Sequence, residues 1–264
     1  MTKKKTDDYH RPVLVAEVAK YLISDPNGAY LDLTVGGGGH LRALSLRVEP
    51  GARLYGIDRD AEAIAAAQRA LRKRPEVHAL EKGTFAEVGT IIQTWPDRLF
   101  HGILLDLGVS SHQINEASRG FSFQSDGPLD MRMDRSSGES AATLLERLET
   151  RELAELIRKY GEERMAKRIA QAIVRERQTA PIRTTGHLAR IIRSVVPSAH
   201  VVKTLARVFQ ALRIAVNDEL GQLKRVLPAA FDLLLPGGRL AVISYHSLED
   251  RTVKQYFRSL AAPP

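Results

Sequence analysis

The sequence predicts an α/β fold: a parallel, doubly wound sheet interrupted by an all-helical insert. Three observations predict it. Strand-like and helix-like patterns alternate from residue 29 to residue 108. A run of four glycines, Gly36 to Gly39, follows the first apolar stretch. From Thr143 to Val196 only helical patterns are found. Parallel strands need crossover connections, usually helices, so the alternation implies right-handed βαβ units.

The elements follow in order. "AYLDLTV" (29–35) is a buried strand ending in glycines, and "LRALSLRV" (41–48) a short helix stopped by Pro50 and Gly51. "RLYGID" (53–58) is a second strand. "AEAIAAAQRALRKR" (61–74) is alanine-rich and ends in bases, as a helix should. "VHALEKG" (77–83) is a third strand, "FAEVGTIIQTW" (85–95) a third helix and "HGILLDLG" (101–108) a fourth strand, apolar enough to be covered on both faces. Residues 109–140 have no clean period. A loop of that length in a compact domain is expected to be functional. "TLLERLETRELAELIRKYG" reads as two helices and "ERMAKRIAQAIVRER" as one amphipathic helix, while "TTGHLARIIRSVV" starts at a Thr N-cap. "TLARVFQALRIAVNDELGQLKRVL" (204–227) carries one apolar stripe and predicts a single long helix, with Pro228 opening the next. "PGG" (236–238) is a turn, "RLAVISYH" (239–246) a fifth strand, and 247–260 a final helix N-capped by Ser247. These assignments place one domain over 1–108 and 204–264, with 109–203 as loop and inserted helical subdomain.

Composition narrows the function. There is no Cys, which excludes disulfides, thiolate metal sites and cysteine nucleophiles. No apolar run approaches the ~20 residues of a membrane span, and "MTKKKTDDYH" is not a secretory signal, so a cytoplasmic location is expected. Lys and Arg number 39 against 31 acids, for a net charge of +8. From Arg151 to Arg193 there are eleven Lys/Arg and five Glu, so much of the surplus sits in the helical insert. Such a surface is either a solvated helical face or a nucleic-acid face.

An open parallel sheet binds its ligand at the carboxyl ends of its strands. The glycine run, Asp58, Asp106 and "SYHS" (244–247) all fall there. Glycines let backbone N–H groups approach a ligand, and an acid ending the second strand can take both hydroxyls of a ribose. An adenosine-type cofactor is implied. No Gly-Lys-Ser/Thr follows, which removes the P-loop reading. In the dinucleotide pattern G-x-G-x-x-G the sixth position is Leu41, so a nicotinamide dehydrogenase fits less well than a methyltransferase using S-adenosylmethionine.

Six stretches carry a resemblance to a known family. They are "HRPVLVAEV" (10–18), "LDLTVGGGGH" (31–40), "GIDRD" (56–60), the long block "LDLGVSSHQINEASRGFSFQSDGPLDMRM" (105–133), "FQALRIAVNDEL" (209–220) and "PGGRLAVISYHSLEDRTVK" (236–254). Together they resemble the RsmH/MraW family of bacterial small-subunit ribosomal RNA cytosine-N4 methyltransferases, over almost the whole chain. The resemblance implies a Rossmann-like, S-adenosylmethionine-dependent methyltransferase sheet with an inserted all-helical subdomain. It implies methyl transfer to N4 of a cytidine in the decoding region of small-subunit ribosomal RNA. The RNA would be met within the small subunit, with no membrane partner, and a homodimer is one oligomeric state left open. The family's cofactor contacts carry over onto Gly38, Gly39, His40, Asp58, Phe85, Asp106 and Gln113. Residues alone would place Phe85 in the core and Gln113 in a solvated loop.

Asp106 is the one candidate catalytic group. His10, Ser110, Ser244 and His246 are the substrate-side candidates, and no metal is called for. The basic insert, 151–193, is the candidate for phosphate contacts. The sequence departs from the family at Leu41, where Ser is usual, and at "KTLAR" (203–207), which keeps only Arg207 of His-Pro-Ala-Thr-Arg. The family's Arg- and Ser-rich terminal hairpin has no counterpart before Pro264. The alternative reading is a non-catalytic RNA-binding assembly factor that retains the fold.

Overall fold

In a computed structural model, the structure describes residues 12–261. The chain divides into two compact units, 1–111 with 220–264, and 112–219.

The first unit is built on five strands: β1 (Ala29–Asp32), β2 (Arg53–Asp58), β3 (Val77–Lys82), β4 (Phe100–Asp106) and β5 (Leu234–Ile243). All neighbours pair in parallel, in the order β3-β2-β1-β4-β5. The chain winds outward from β1 through β2 to β3. It then returns to the other side of β1 to start β4. This reversal puts the switch point, and the ligand crevice of such sheets, between β1 and β4. Residues 31, 33, 55, 57, 103 and 105 face one apolar layer and residues 30, 54 and 104 the other. Burial on both faces explains why these strands read as continuous apolar runs rather than alternating ones.

The helices of this unit's first segment are α1 (Val15–Leu22), α2 (Gly39–Ser45), α3 (Ala61–Leu71) and α4 (Val88–Ile91). The expected helix over 85–95 is three short pieces, with α4 flanked by 3-10 turns at Phe85–Glu87 and Ile92–Thr94. Leu41 on α2 is fully buried. A Cβ on Gly56 would lie 2.7 Å from Leu80, 2.8 Å from Val35 and 3.0 Å from Leu41, so Gly56 leaves room for all three side chains. Position 41 is thus a core position.

The second unit starts with α5 (Ser111–Asn115), whose first residue still belongs to the sheet unit, and continues through α6 (Ala141–Arg147), α7 (Thr150–Gly161), α8 (Ala166–Arg177), α9 (Thr185–Val195) and α10 (Val201–Asn217). Thr184 caps α9 as expected, its Oγ1 accepting from the His187 N–H at 3.1 Å. The core of this unit includes Leu144, Ile157, Ile169, Ile173, Leu188, Leu205 and Phe209.

The single helix expected over 204–227 is two, α10 and α11 (Glu219–Asp232). The break is Asp218, at φ 48°. The apolar stripe hid it because the stripe serves two cores. Leu205, Val208, Phe209 and Leu212 pack in the helical unit, while Leu223 and Leu227 pack under the sheet. Residues 204–219, expected with the sheet domain, therefore belong to the helical unit. Pro228 lies inside α11 rather than opening a new helix. Burial of Leu223, Val226, Leu227 and Ala230 on either side outweighs the one backbone hydrogen bond that Pro forgoes.

β5 also differs from expectation. Phe100 pairs with Leu234 and Gly102 with Arg239, so the extra residues of "PGG" form a bulge within the strand, with Gly237 at φ 82°. Pairing ends at Ile243, which leaves 244–246 as a loop before α12 (Ser247–Ala261).

Residues 116–140 form an ordered loop. Asn217, buried at the end of α10, accepts from the Met133 N–H at 2.8 Å and donates to the carbonyls of Met131 and Arg213. Arg119, 1% exposed, donates to the carbonyls of Arg132 and Met133. Backbone amides of 129, 131, 141 and 142 are bonded as well.

Candidate cofactor site

Five loops leave the carboxyl edge of the sheet, and the first and fourth flank the switch point. After β1 the chain turns through Gly36 at φ 52° and Gly38 at φ 84°, and Gly38 is the left-handed cap of α2. A side chain at Gly38 would strike Leu71, and one at Gly39 would strike Pro12, each at 2.9 Å. These two glycines are needed because protein packs behind them. The loop is fastened to the next strand: the Gly36 N–H donates to Asp58 Oδ2 at 2.8 Å. Asp58 Oδ1 accepts from the Asp60 N–H at 2.9 Å. Each carboxylate oxygen has two lone-pair sites, so one per oxygen remains for a pair of hydroxyls. Burial pushes the Asp58 carboxyl up to about 6 against the pull of those two amides, and it is ionised at neutral pH.

At the switch point lies a cluster of ionisable groups. Asp106, ending β4, has both oxygens engaged. Oδ1 accepts from the Tyr245 hydroxyl at 2.8 Å, and Oδ2 lies 3.2 Å from Nε2 of His40. The Asp106 N–H donates to Thr34 Oγ1 at 2.7 Å, and Thr34 donates in turn to Asp32 Oδ1. Asp32 is fully buried, and its Oδ2 and Nδ1 of His40 have no hydrogen-bond partner among the described residues. Burial holds the Asp32 carboxyl at about 6, with the charge of His40 opposing the rise. Burial works to lower His40, but its hydrogen bond to Asp106 and the charges of Asp32 and Asp106 together raise it. The cluster thus sets two carboxylates, Asp32 and Asp106, around the one imidazole of His40.

The Asp32 shift carries a sign that can be checked. The folded chain holds this proton more tightly than the unfolded chain, so ionising Asp32 costs stability as pH rises from about 4 to about 6. Loss of the raised His40 proton acts in the same direction above that range. Urea unfolding at pH 4, 5, 6 and 7 should therefore show Asp32→Asn gaining on wild type with rising pH, by up to about 3 kcal/mol. A pH-independent difference would contradict this burial effect.

Phe85 follows β3 and packs partly against the sheet core. Ser110 is half-buried after β4, and Ser244 and His246 are half-buried after β5. His246 has a structural role. Its Nδ1 accepts from the Glu249 N–H at 3.4 Å, while Glu249 Oε2 accepts from the N–H groups of Tyr245 and His246. This is a capping-box arrangement shifted by one residue from the expected Ser247 cap. His246 Nε2 lies 3.2 Å from Glu249 Oε1 without the alignment of a hydrogen bond. Gln113 is buried within the helical unit. His10 lies outside the described residues. Sequence reasoning did not name Asp32, Thr34 or Tyr245 as site residues. A lone acid inside the apolar strand "AYLDLTV" was a readable signal for the first, and Tyr245 lies within the "SYHS" stretch expected at this edge, of which only Ser244 and His246 stood out as candidates.

A parallel five-stranded sheet with a glycine turn after β1 and carboxylates at the ends of β1, β2 and β4 is a Rossmann-like methyltransferase architecture. The chain belongs to the MraW methylase family, whose family model matches residues 7–264. A protein named ribosomal RNA small subunit methyltransferase H from Pelobacter propionicus is 51% identical over 257 residues, covering 96% of this chain and 82% of that protein. Proteins of the same name from Heliobacterium modesticaldum and Symbiobacterium thermophilum are each 48% identical, covering 97% of this chain and 84% and 81% of theirs.

Proposed function

We propose that the protein methylates small-subunit ribosomal RNA at the exocyclic N4 of a cytidine in the decoding region, with S-adenosylmethionine as methyl donor. Family membership and the named relatives support the RNA methyltransferase reading. The single observation that carries the cofactor is Asp58, which pins the glycine turn with one lone-pair site of an oxygen and keeps others for ribose hydroxyls. The cytidine N4 target rests on the resemblance of the 105–133 block.

The donor, when bound, supplies an electrophilic methyl group on a positively charged sulfur. Gly38, Gly39 and His40 would hold it from the first loop, Asp58 from the second, with Phe85 and Asp106 on either side. Asp106 is already committed to His40 and Tyr245, so it is better suited to fix position and charge than to leave as a base. A fixed carboxylate in a water-poor crevice stabilises a cationic donor without reorganising. The S–CH3 bond breaks as the N4–CH3 bond forms; the neutral thioether leaves without a proton, and the methylated N4 then gives up one proton to water. Positioning and exclusion of water therefore supply most of the rate. N4 is a weak nucleophile because its lone pair is drawn into the ring. The target base must be unpaired to present it, which favours loop or single-stranded RNA.

The helical unit supplies the phosphate contacts in this reading. Ten of the eleven Lys/Arg between 151 and 193 are solvent-exposed; the exception is Arg177, which donates to the Leu148 carbonyl. Arg168 and Arg175 lie on the side of α8 away from buried Ile169 and Ile173, and Arg164 lies in the turn just before the helix. Replacing these three by Ala should flatten the log–log salt dependence of RNA binding by roughly two units, at about 0.7 per phosphate of single-stranded RNA. Filter binding across a salt series measures it, and an unchanged slope would remove these three from the RNA face. The overall proposal is tested by incorporation of labelled methyl from S-adenosylmethionine into whole small subunits and into bare RNA. RNA binding without incorporation would leave a non-catalytic assembly factor.

A further inference from the structure

We infer that Tyr245 is the platform on which the target base stacks. The inference rests on the methyltransferase reading above and names a substrate-side residue for it. Tyr245 lies on the loop after β5, at the same sheet edge as Asp106, and its side chain is pinned at its far end. Its hydroxyl donates to Asp106 Oδ1 at 2.8 Å, and its backbone N–H donates to Glu249 Oε2 at 2.9 Å. The ring lies against Gly108, where a Cβ would come within 3.2 Å of Cδ2; Gly108 is also at φ 95°. Yet the residue is 53% exposed. A large aromatic whose hydroxyl and backbone are both tied ordinarily covers apolar surface, and this one presents open ring to solvent beside the cofactor floor.

The chemistry fits one class of occupant. A planar, unstacked nucleobase gains from an aromatic surface, and every base has a face to offer. A ring already fixed by its hydroxyl loses little freedom when a base settles on it. The same hydroxyl ties the platform to Asp106. Tyr245 would therefore register the position of the base against the carboxylate facing the donor, so that the amino group is set by the two ends of one side chain.

Two variants separate the ring from the hydroxyl. Tyr245→Phe keeps the ring and releases Asp106. Tyr245→Leu removes both. Methyl transfer to small-subunit RNA gives kcat and KM, and calorimetry with S-adenosylmethionine reports folding and the cofactor site. Tyr245→Phe should lower kcat several-fold and leave KM for RNA near wild type. Tyr245→Leu should bind the cofactor as Tyr245→Phe does, yet lose a further 10- to 100-fold, roughly, in kcat/KM for RNA. Equal losses in the two variants would overturn the stacking role and leave only the hydroxyl contact. A Tyr245→Leu defect confined to cofactor binding would overturn it as well, making Tyr245 a wall of the donor pocket. Wild type without any methyl transfer would instead bring down the methyltransferase reading and this inference with it.

Discussion

An Asp58→Ala protein should bind S-adenosylmethionine at least about a hundredfold more weakly than wild type, with its fold intact. Two effects add. A ribose would lose two charge-assisted hydrogen bonds, each worth roughly 1.5–3 kcal/mol. The Gly36 N–H would also lose its acceptor, so the glycine turn would no longer be held at the end of β2. Asp58→Asn should fall in between, since an amide keeps one acceptor but must turn its NH2 toward one of the two backbone N–H groups. Because the carboxyl sits at about 6, wild-type affinity should rise between pH 5 and pH 7 as it ionises, and the Ala variant should lack that component. Isothermal titration at three pH values measures both effects. A loss below threefold would mean that Asp58 serves the turn and not the ligand.

The second large effect is on folding of the helical unit. Gly120 has φ 75°, and a Cβ there would sit 2.2 Å from the Pro128 carbonyl oxygen and 2.8 Å from the Asp130 nitrogen. Both are backbone atoms of the bonded loop 116–140, and neither can swing away. Gly120→Ala should cost about 4 kcal/mol or more and uncouple unfolding of this unit from that of the sheet. Gly138 is the internal control. It has nearly the same φ, 74°, but nothing within 4 Å of an added Cβ. Gly138→Ala should therefore cost only the left-handed backbone preference, about 1 kcal/mol. Urea unfolding of the two variants side by side reads the difference. Equal costs would show that the loop around Gly120 yields.

The sheet was legible in the sequence because its strands obey local rules. β2 runs over residues 53–58, as "RLYGID" indicated, and β3 and β4 differ from expectation by one or two residues at an end. What was not legible depends on partners distant in sequence. The break at Asp218 is invisible to periodicity, since the apolar stripe continues unbroken through it. The break becomes intelligible only once Asn217 is seen bonding the loop at 131–133. Pro228 misled for a similar reason: a local rule was outweighed by burial under the sheet. In the site, Asp58 and Asp106 could be found because position at a strand end is a sequence property. The His40–Asp106–Tyr245 contacts could not, since they join residues 66 and 139 positions apart that only the order of the strands brings together. The glycine run had a mixed meaning. Gly36 is held by Asp58, whereas Gly38 and Gly39 are required by Leu71 and Pro12 packed behind them.

The most direct test of the proposed activity is nucleoside mass spectrometry of small-subunit RNA after incubation with the protein and methyl-labelled S-adenosylmethionine. The expected result is one labelled nucleoside, N4-methylcytidine, in a fragment of the decoding region, and far less of it with Asp58→Ala at the same cofactor concentration. Label on any other base or atom, or no label from wild type on either whole subunits or bare RNA, would contradict it.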